Sequence, residues 1–260
     1  MNVLQAVLLG IIQGLTEFLP VSSSGHLEIG HHLLGVNTTN NLYFDVVVHV
    51  ATVLSTIVVF RKDILELLKG IFAFKWNEPT IYVSKLIFSA IPVLVLGLFF
   101  KDYIEQLFTG NLLLVGSMLI FTALLLSLTQ FVNINTEKIT FIKAFIIGLA
   151  QAVAVIPGIS RSGSTIAAGL LLKNKKEDVA RFSFLMVLIP ILGAAFLDIV
   201  GGDGTSDGNI GILPLTVGFF AAFISGLLAC SWMIKIVKRG KLIYFAIYCL
   251  VIGVIAIFAA

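Results

Sequence analysis

The stretch VIPGISRSGST, Val155 to Thr165, places an arginine, four hydroxyls and two glycines in a chain that is otherwise mostly apolar. Glycine and serine let consecutive backbone N–H groups converge on an oxyanion, and a helix resuming near Ser164 would aim its positive end at the same point. Arg161 adds a charge that does not titrate away, on a planar fork matched to paired oxygens. Gly158, Ser160, Arg161, Ser162, Gly163 and Thr165 therefore form one wall of an anion site. A carboxylate would fit nearly as well as a phosphate. The plainer alternative is that Arg161 only pairs with Glu17 to hold two segments together.

The second constellation is QGLTEFLPVSSSGHLE, Gln13 to Glu28. Gln13 and Glu17 are four apart and share a helix face. Ser22, Ser23 and Ser24 follow the proline, and His26, three residues after Ser23, is within reach of a hydroxyl or a phosphate. An ionisable group in an apolar segment is costly, which marks Glu17 and His26 as functional. Other polar residues carry blander readings. Glu28 is expected to face water or support the site, His31 and His32 to lie at an interface, and Asp45 and Asp198 to be solvated at the ends of spans. His49 reads as a hydrogen-bonded packing residue. Gln106, Asn111 and the Asn37–Asn41 stretch suit loops and caps. No His/Cys cluster has zinc spacing, whereas a hard cation could sit on Glu17 and phosphate oxygens.

These groups need apolar elements to hold them. Of 260 residues, 58% are hydrophobic and only 12% charged, with a mean hydropathy of +1.07. Soluble domains carry about 25% charged residues. The repeated apolar runs are long enough for helices that cross a hydrocarbon core of about 30 Å, and runs of helix length argue against a barrel. The first run lacks a basic flank, because no Lys or Arg precedes Arg61, so it does not read as a cleaved signal peptide. Cys230 and Cys249 read as buried small hydrophobes.

Basic residues cluster at 61–85, 138–143, 173–181 and 235–241, whereas Gly35–Asn41 and Gly201–Gly211 hold none. The positive-inside rule puts the four clusters in the cytoplasm. Six spans satisfy this, at about 43–60, 83–100, 112–131, 182–199, 214–234 and 242–258. Segments 1–35 and 141–172 are left over. Each starts and ends on one side, so both are expected to be re-entrant helix–loop–helix hairpins. Laying residue n over n + 138 matches Gly10 with Gly148, Gln13 with Gln151, Ser22 with Ser160, Ser24 with Ser162, Gly25 with Gly163 and Phe44 with Phe182. The expectation is an all-α polytopic membrane protein, a single domain over 1–260, with inverted repeats at about 1–131 and 139–258.

The pair EFLPVSSSGH and PGISRSGST, with Gln four residues before the Glu, resembles the bacterial undecaprenyl-pyrophosphate phosphatase family, the bacitracin-resistance proteins. The likeness covers essentially the whole chain, FDVVVHVATVL included. It implies hydrolysis of undecaprenyl diphosphate at the outer face of the bacterial plasma membrane. It places the family's acidic motif on Gln13 and Glu17, its serine and histidine on Ser23 and His26, and its arginine loop on Ser160, Arg161, Ser162 and Thr165. It further implies dependence on Mg²⁺ or Ca²⁺, held by Glu17 with Gln13, and a homodimer. The amide at Gln13 weakens any scheme that needs two carboxylates on the metal. The partners expected are a polyprenyl diphosphate and membrane lipids, with no nucleic acid. Ser23 is favoured over water as the nucleophile, with Glu17 or His26 as its base. The rival reading is a transporter or flippase of a lipid phosphate or another anion, since inverted repeats with broken helices suit transport.

Overall fold

The computed structural model describes residues 1–36, 42–100, 103–104, 106–107, 110–132, 137–193, 210–239 and 241–260. Asn37–Asn41, Lys101, Asp198 and most of Gly201–Gly211 lie outside the described residues. Those described are mostly helical. Their β pairing is an isolated parallel bridge between Glu137 and Asn174.

Local sequence starts the helices. Helix α1, Val3–Phe18, opens on a capping box in which Asn2 and Gln5 exchange side-chain bonds with each other's backbone N–H. Pro20 and the serines then end the apolar run, and α2, Ser23–Leu33, restarts on Ser22 as its cap. Helix α3 is Leu42–Val59 and α4 is Arg61–Phe72. Asn77 caps α5, Glu78–Phe99, and Asn111 caps α6, Leu112–Leu128, as its loop position suggested. A 3₁₀ turn extends α6 to Phe131. Thr140 caps α7, Phe141–Val153, and Ser160 caps α8, Arg161–Leu171. Helices α9, Lys176–Met186, α10, Ile212–Arg239, and α11, Ile243–Phe258, complete the chain.

Among the described residues, three helices are long and apolar enough to cross a membrane: α5, α6 with its 3₁₀ extension, and α10. A fourth crossing exists if α3 and α4 count as one span, bent by 76° at Phe60. Helices α1, α7 and α11 are apolar but shorter, with 16, 13 and 16 residues. At 1.5 Å per residue they reach only about 20–24 Å.

One helix was not anticipated from the sequence, and one expected span changes. The basic stretch after Phe60 is a helix, α4, with only Leu67 buried and Asp63 paired to Arg181 at 2.7 Å. The expected span 182–199 is not one uninterrupted helix. It begins earlier, at Lys176, and breaks at Val187, where Pro190 lacks the N–H that would pair with the Met186 carbonyl.

The packing partners cross over. Helix α1 lies along α10, α7 lies along α5, and α6 lies along α11. Small residues set the first of these distances. A Cβ on Gly14 would come 2.0 Å from Ser225 Oγ and 2.5 Å from the Ala222 carbonyl oxygen. Gly10 is equally tight against Gly218, and Gly148 against the Ser89 carbonyl. Such close backbone approach is how helices associate when lipid removes the hydrophobic drive between them.

Gly14→Val should therefore destabilise the protein by about 1–3 kcal/mol through overpacking. Gly97→Ala, where a Cβ meets nothing within 4 Å, should be neutral. Thermal unfolding in detergent, followed by loss of the monodisperse elution peak, checks both.

Candidate active site

The two serine caps are one device built twice, 138 positions apart. Ser22 Oγ accepts from Gly25 N at 3.2 Å, and Ser160 Oγ accepts from Gly163 N at 3.0 Å. In each copy the cap hydroxyl also lies near the hydroxyl two residues on: Ser22 with Ser24 at 3.3 Å and Ser160 with Ser162 at 3.4 Å. Ser160 as cap moves the start of α8 to Arg161, three residues before the expected Ser164. Arg161 thus stands in the first turn, beside N–H groups that have no carbonyl one turn back. The copies differ in backbone: Ser22 has φ +70°, unusual for a residue with a side chain, whereas Ser160 has φ −70°.

The turns before α2 and before α8 meet. Ser162 Oγ donates to the Leu19 carbonyl at 3.1 Å. A Cβ on Gly25 would come 3.2 Å from Gly158 Cα, and one on Gly163 would come 3.3 Å from Pro20 Cβ. Gly158 has φ +94° and leaves no room for a side chain, since its Cβ would fall 2.5 Å from the Val115 carbonyl oxygen. This loop is pressed against α6.

At the junction, Arg161 Nη2 donates to Glu17 Oε1. Glu17 is 8% exposed and the Arg161 side chain 17%. Arg161 also reaches the Ser183 carbonyl at 3.5 Å, and Ser183 Oγ is 2.5 Å from Thr165 Oγ1. The other oxygen, Glu17 Oε2, accepts from Ser23 Oγ at 2.6 Å and from Gln13 Nε2 at 3.0 Å. Arginine, acid, amide and one hydroxyl therefore form a single connected group.

His26 takes a different place. Its Nδ1 lies 2.9 Å from the Ser22 carbonyl oxygen and its Nε2 lies 2.8 Å from the Tyr248 hydroxyl. The ring stacks on Tyr248 with centroids 5.5 Å apart. Both nitrogens are thus engaged, and neither on Ser23.

Three positions differ from expectation. Glu28 is buried rather than water-facing, and its Oε2 has no partner among the described residues. His31 is 1% exposed instead of interfacial, because it bonds Asp45 at 3.0 Å and so ties α2 to α3. Asp45 is half-buried by the same contact. His32 is exposed.

Two residues that sequence reasoning missed also belong here. His49 is hydrogen-bonded as expected, through Nδ1 to the Asp45 carbonyl at 2.7 Å, but its Nε2 faces Glu17 Oε2 at 3.8 Å. Its spacing from Asp45 put the two on one face of α3, which was the available signal. Thr122 of α6 donates to the Gly158 carbonyl at 3.1 Å and accepts from Ser160 N at 3.0 Å. A lone threonine in an apolar run carries no such signal.

The donor set is largely hydrogen-bonded within the protein, while Gln13 Oε1 is a buried oxygen with no partner among the described residues. Arg161 occupies Glu17 Oε1, while Ser23 and Gln13 occupy Oε2. Gln13 must present its N–H to Glu17, since amide and carboxylate oxygens would repel. Among the described residues no three His, Cys, Asp or Glu side chains are grouped to hold a metal ion. Cys230 and Cys249 are buried free thiols, as expected.

Fold and site together define a class: a helical protein with membrane-spanning apolar helices and a buried guanidinium–carboxylate–hydroxyl group at the meeting of two capped helices. Residues 6–255 match the family described as bacitracin resistance protein BacA. The chain is 55% identical over 260 residues to an undecaprenyl-diphosphatase of Bacteroides thetaiotaomicron, covering 99% of this chain and 98% of that one. It is 51% identical to one of Christiangramia forsetii, covering 100% and 99%, and 40% identical to one of Methanococcus vannielii, covering 98% and 99%. The chain belongs to the BacA family.

Thr122→Val is nearly isosteric and leaves a buried carbonyl and a buried N–H of the arginine loop unpaired. Each such loss costs about 1–3 kcal/mol. Thr122→Val should therefore lower thermal stability and increase proteolytic cleavage near Gly158, while Thr122→Ser should restore most of both.

Proposed function

We propose that this chain hydrolyses undecaprenyl diphosphate to undecaprenyl phosphate and inorganic phosphate, renewing a lipid carrier for cell-wall synthesis and conferring bacitracin resistance. The observation that carries the reading is the contact of Arg161 with Glu17 while Glu17 also holds the Ser23 hydroxyl. An anion clamp alone would serve transport. A hydroxyl aligned on a carboxylate beside that clamp serves bond-breaking. The names of the relatives agree with this.

In the reaction, Ser23 Oγ attacks the terminal phosphorus as its proton passes to Glu17 Oε2. The bond from phosphorus to the bridging oxygen breaks, and the lipid monophosphate leaves with the electron pair. Arg161 and the first-turn N–H groups of α8 take up charge on the phosphate oxygens, which is the main catalytic term in phosphoryl transfer. Ser22, Ser24, Ser160, Ser162 and Thr165 shape the loops around the group, with Gly158 and Gly163 allowing close approach. Water then releases phosphate from Ser23. His26, held by Tyr248, positions the start of α2. A divalent cation, Mg²⁺ or Ca²⁺, belongs with the diphosphate's own oxygens, and no step here runs through it.

The architecture we favour is an inverted repeat of about 1–131 and 139–258, with α1–α2 and α7–α8 as re-entrant hairpins. The short α1 and α7, the repeated serine cap and the crossed packing of α1 on α10 and α7 on α5 support it. The family resemblance implies a site opening to the extracytoplasmic side of a plasma membrane. A homodimer follows from the family resemblance.

Phosphate release from a polyprenyl diphosphate in detergent tests the reading, since detergent abolishes sidedness and leaves only chemistry. Arg161→Ala should cut the rate by about 10²–10³-fold, the scale for losing one charge-stabilising donor. Arg161→Lys should also be slow, because a point charge cannot reproduce the fork. An Arg161→Ala protein that keeps wild-type turnover would rule the site out. Rapid-quench trapping of a phosphorylated Ser23 peptide decides for serine. Its absence while phosphate is still released decides for water.

A further inference from the structure

Two imidazoles lie near the Ser23–Glu17 pair, and only one has a nitrogen turned toward it. His26 is engaged at both nitrogens, by the Ser22 carbonyl and the Tyr248 hydroxyl. His49 donates from Nδ1 to the Asp45 carbonyl at 2.7 Å, which leaves a lone pair on Nε2 of the neutral ring. That Nε2 faces Glu17 Oε2 at 3.8 Å, the same oxygen that accepts the Ser23 hydroxyl at 2.6 Å. We propose that His49 is the terminal proton acceptor of the reaction, receiving through Glu17 the proton that the attacking oxygen gives up. This rests on the hydrolytic reading above and adds to it the residue on which the proton ends.

The spacing fits the role. A lone pair opposite a carboxylate with no proton between them is not a hydrogen bond, and 3.8 Å exceeds the usual 2.7–3.2 Å. A proton arriving on Oε2 turns the same pair into donor and acceptor. Glu17 is a poor final holder, because a neutral Glu17 would leave the Arg161 guanidinium without its counter-charge. Gln13, an amide, cannot take the proton. The His49 side chain is 32% exposed against 8% for Glu17, so it is the more open end of the pair. Its ring is oriented by the Nδ1 bond to the Asp45 carbonyl, and the Asp45 side chain is in turn bonded by His31 at 3.0 and 3.3 Å. The charged groups around it are Glu17 from α1, Asp45 from its own helix and, beyond Glu17, Arg161 from α8.

The step balances. The Ser23 O–H bond breaks as Oγ–P forms, the bond from phosphorus to the bridging oxygen breaks, and its electron pair leaves with the lipid monophosphate. The hydroxyl proton moves to Glu17 Oε2 and then to His49 Nε2. When water later cleaves the phosphoserine, Ser23 regains a proton and one proton per turnover passes from His49 to solvent. If water attacks in place of Ser23, the proton follows the same path.

The test is steady-state phosphate release in detergent by the full-length wild type, His49→Gln and His49→Ala, with thermal unfolding as the check on folding. General acid–base groups contribute 10²–10⁴-fold, so His49→Gln should lose about 10²-fold in kcat with KM within about threefold. Added imidazole should recover about tenfold or more of the activity that His49→Ala loses, which a packing role would not allow. A His49→Gln enzyme within about threefold of wild-type kcat overturns the proposal, as does a His49→Ala loss that imidazole leaves untouched. If the wild type itself releases no phosphate, the hydrolytic reading falls and this inference with it. If the wild type is active and His49→Gln keeps pace, only the relay falls.

Discussion

Everything at the centre of this protein follows from the need to pair one permanent charge far from bulk water. An unpaired guanidinium in an apolar interior is costly, and Arg161 cannot shed its proton to escape that cost. Its partner, Glu17, comes from the other half of the chain, 144 residues away. The ion pair therefore does two things. It neutralises both groups, and it fixes how the turn before α2 meets the turn before α8. Removing either partner would strand the other, so the contact specifies the arrangement more than it stabilises it.

The surrounding structure holds that contact in register. Ser162 Oγ reaches the Leu19 carbonyl, and Thr122 bonds the arginine loop at both Gly158 and Ser160. Helix α6 thus acts as a back wall for the loop, and the left-handed Gly158 lets the loop lie flat against it. On the other side, Gly10 and Gly14 bring α1 so close to α10 that its rotation is fixed, which turns Gln13 and Glu17 inward. The serine caps start α2 and α8 at the right residues to place Ser23 and Arg161 in first turns. Backbone bonding and small residues do most of this positioning.

Much of this was legible in the sequence, and for physical reasons. Apolar runs, proline breaks and cap residues are local signals, so α5, α6, α10 and α11 fall close to the expected apolar runs. Helices α1, α2, α7 and α8 lie within the two expected hairpin segments, although α8 starts three residues early. The offset of 138 was visible because a serine cap needs the same residue types in both copies. The break at Val187 was missed because a proline in an apolar run does not by itself say break. Pro92 sits inside α5 without interrupting it, whereas the helix that precedes Pro190 ends at Met186. The burial of Glu28 and His31 was hidden because it depends on how α3 packs, through the His31–Asp45 contact. Thr122 and Tyr248 were invisible for the same reason: their partners lie 36 and 222 residues away.

The resting arrangement also says what the substrate must do. Arg161 is bonded to Glu17 now, yet in the proposed reaction its charge must reach phosphate oxygens. A guanidinium offers five N–H donors, and only Nη2 is used on Glu17. The contact to the Ser183 carbonyl, at 3.5 Å, is long enough to be given up at little cost. An arriving diphosphate can therefore engage Arg161 without stripping it from Glu17, and the acid stays aligned on Ser23 throughout. Gln13 adds a donor to Glu17 and no charge of its own. The amide keeps the resting group neutral while still donating to Glu17.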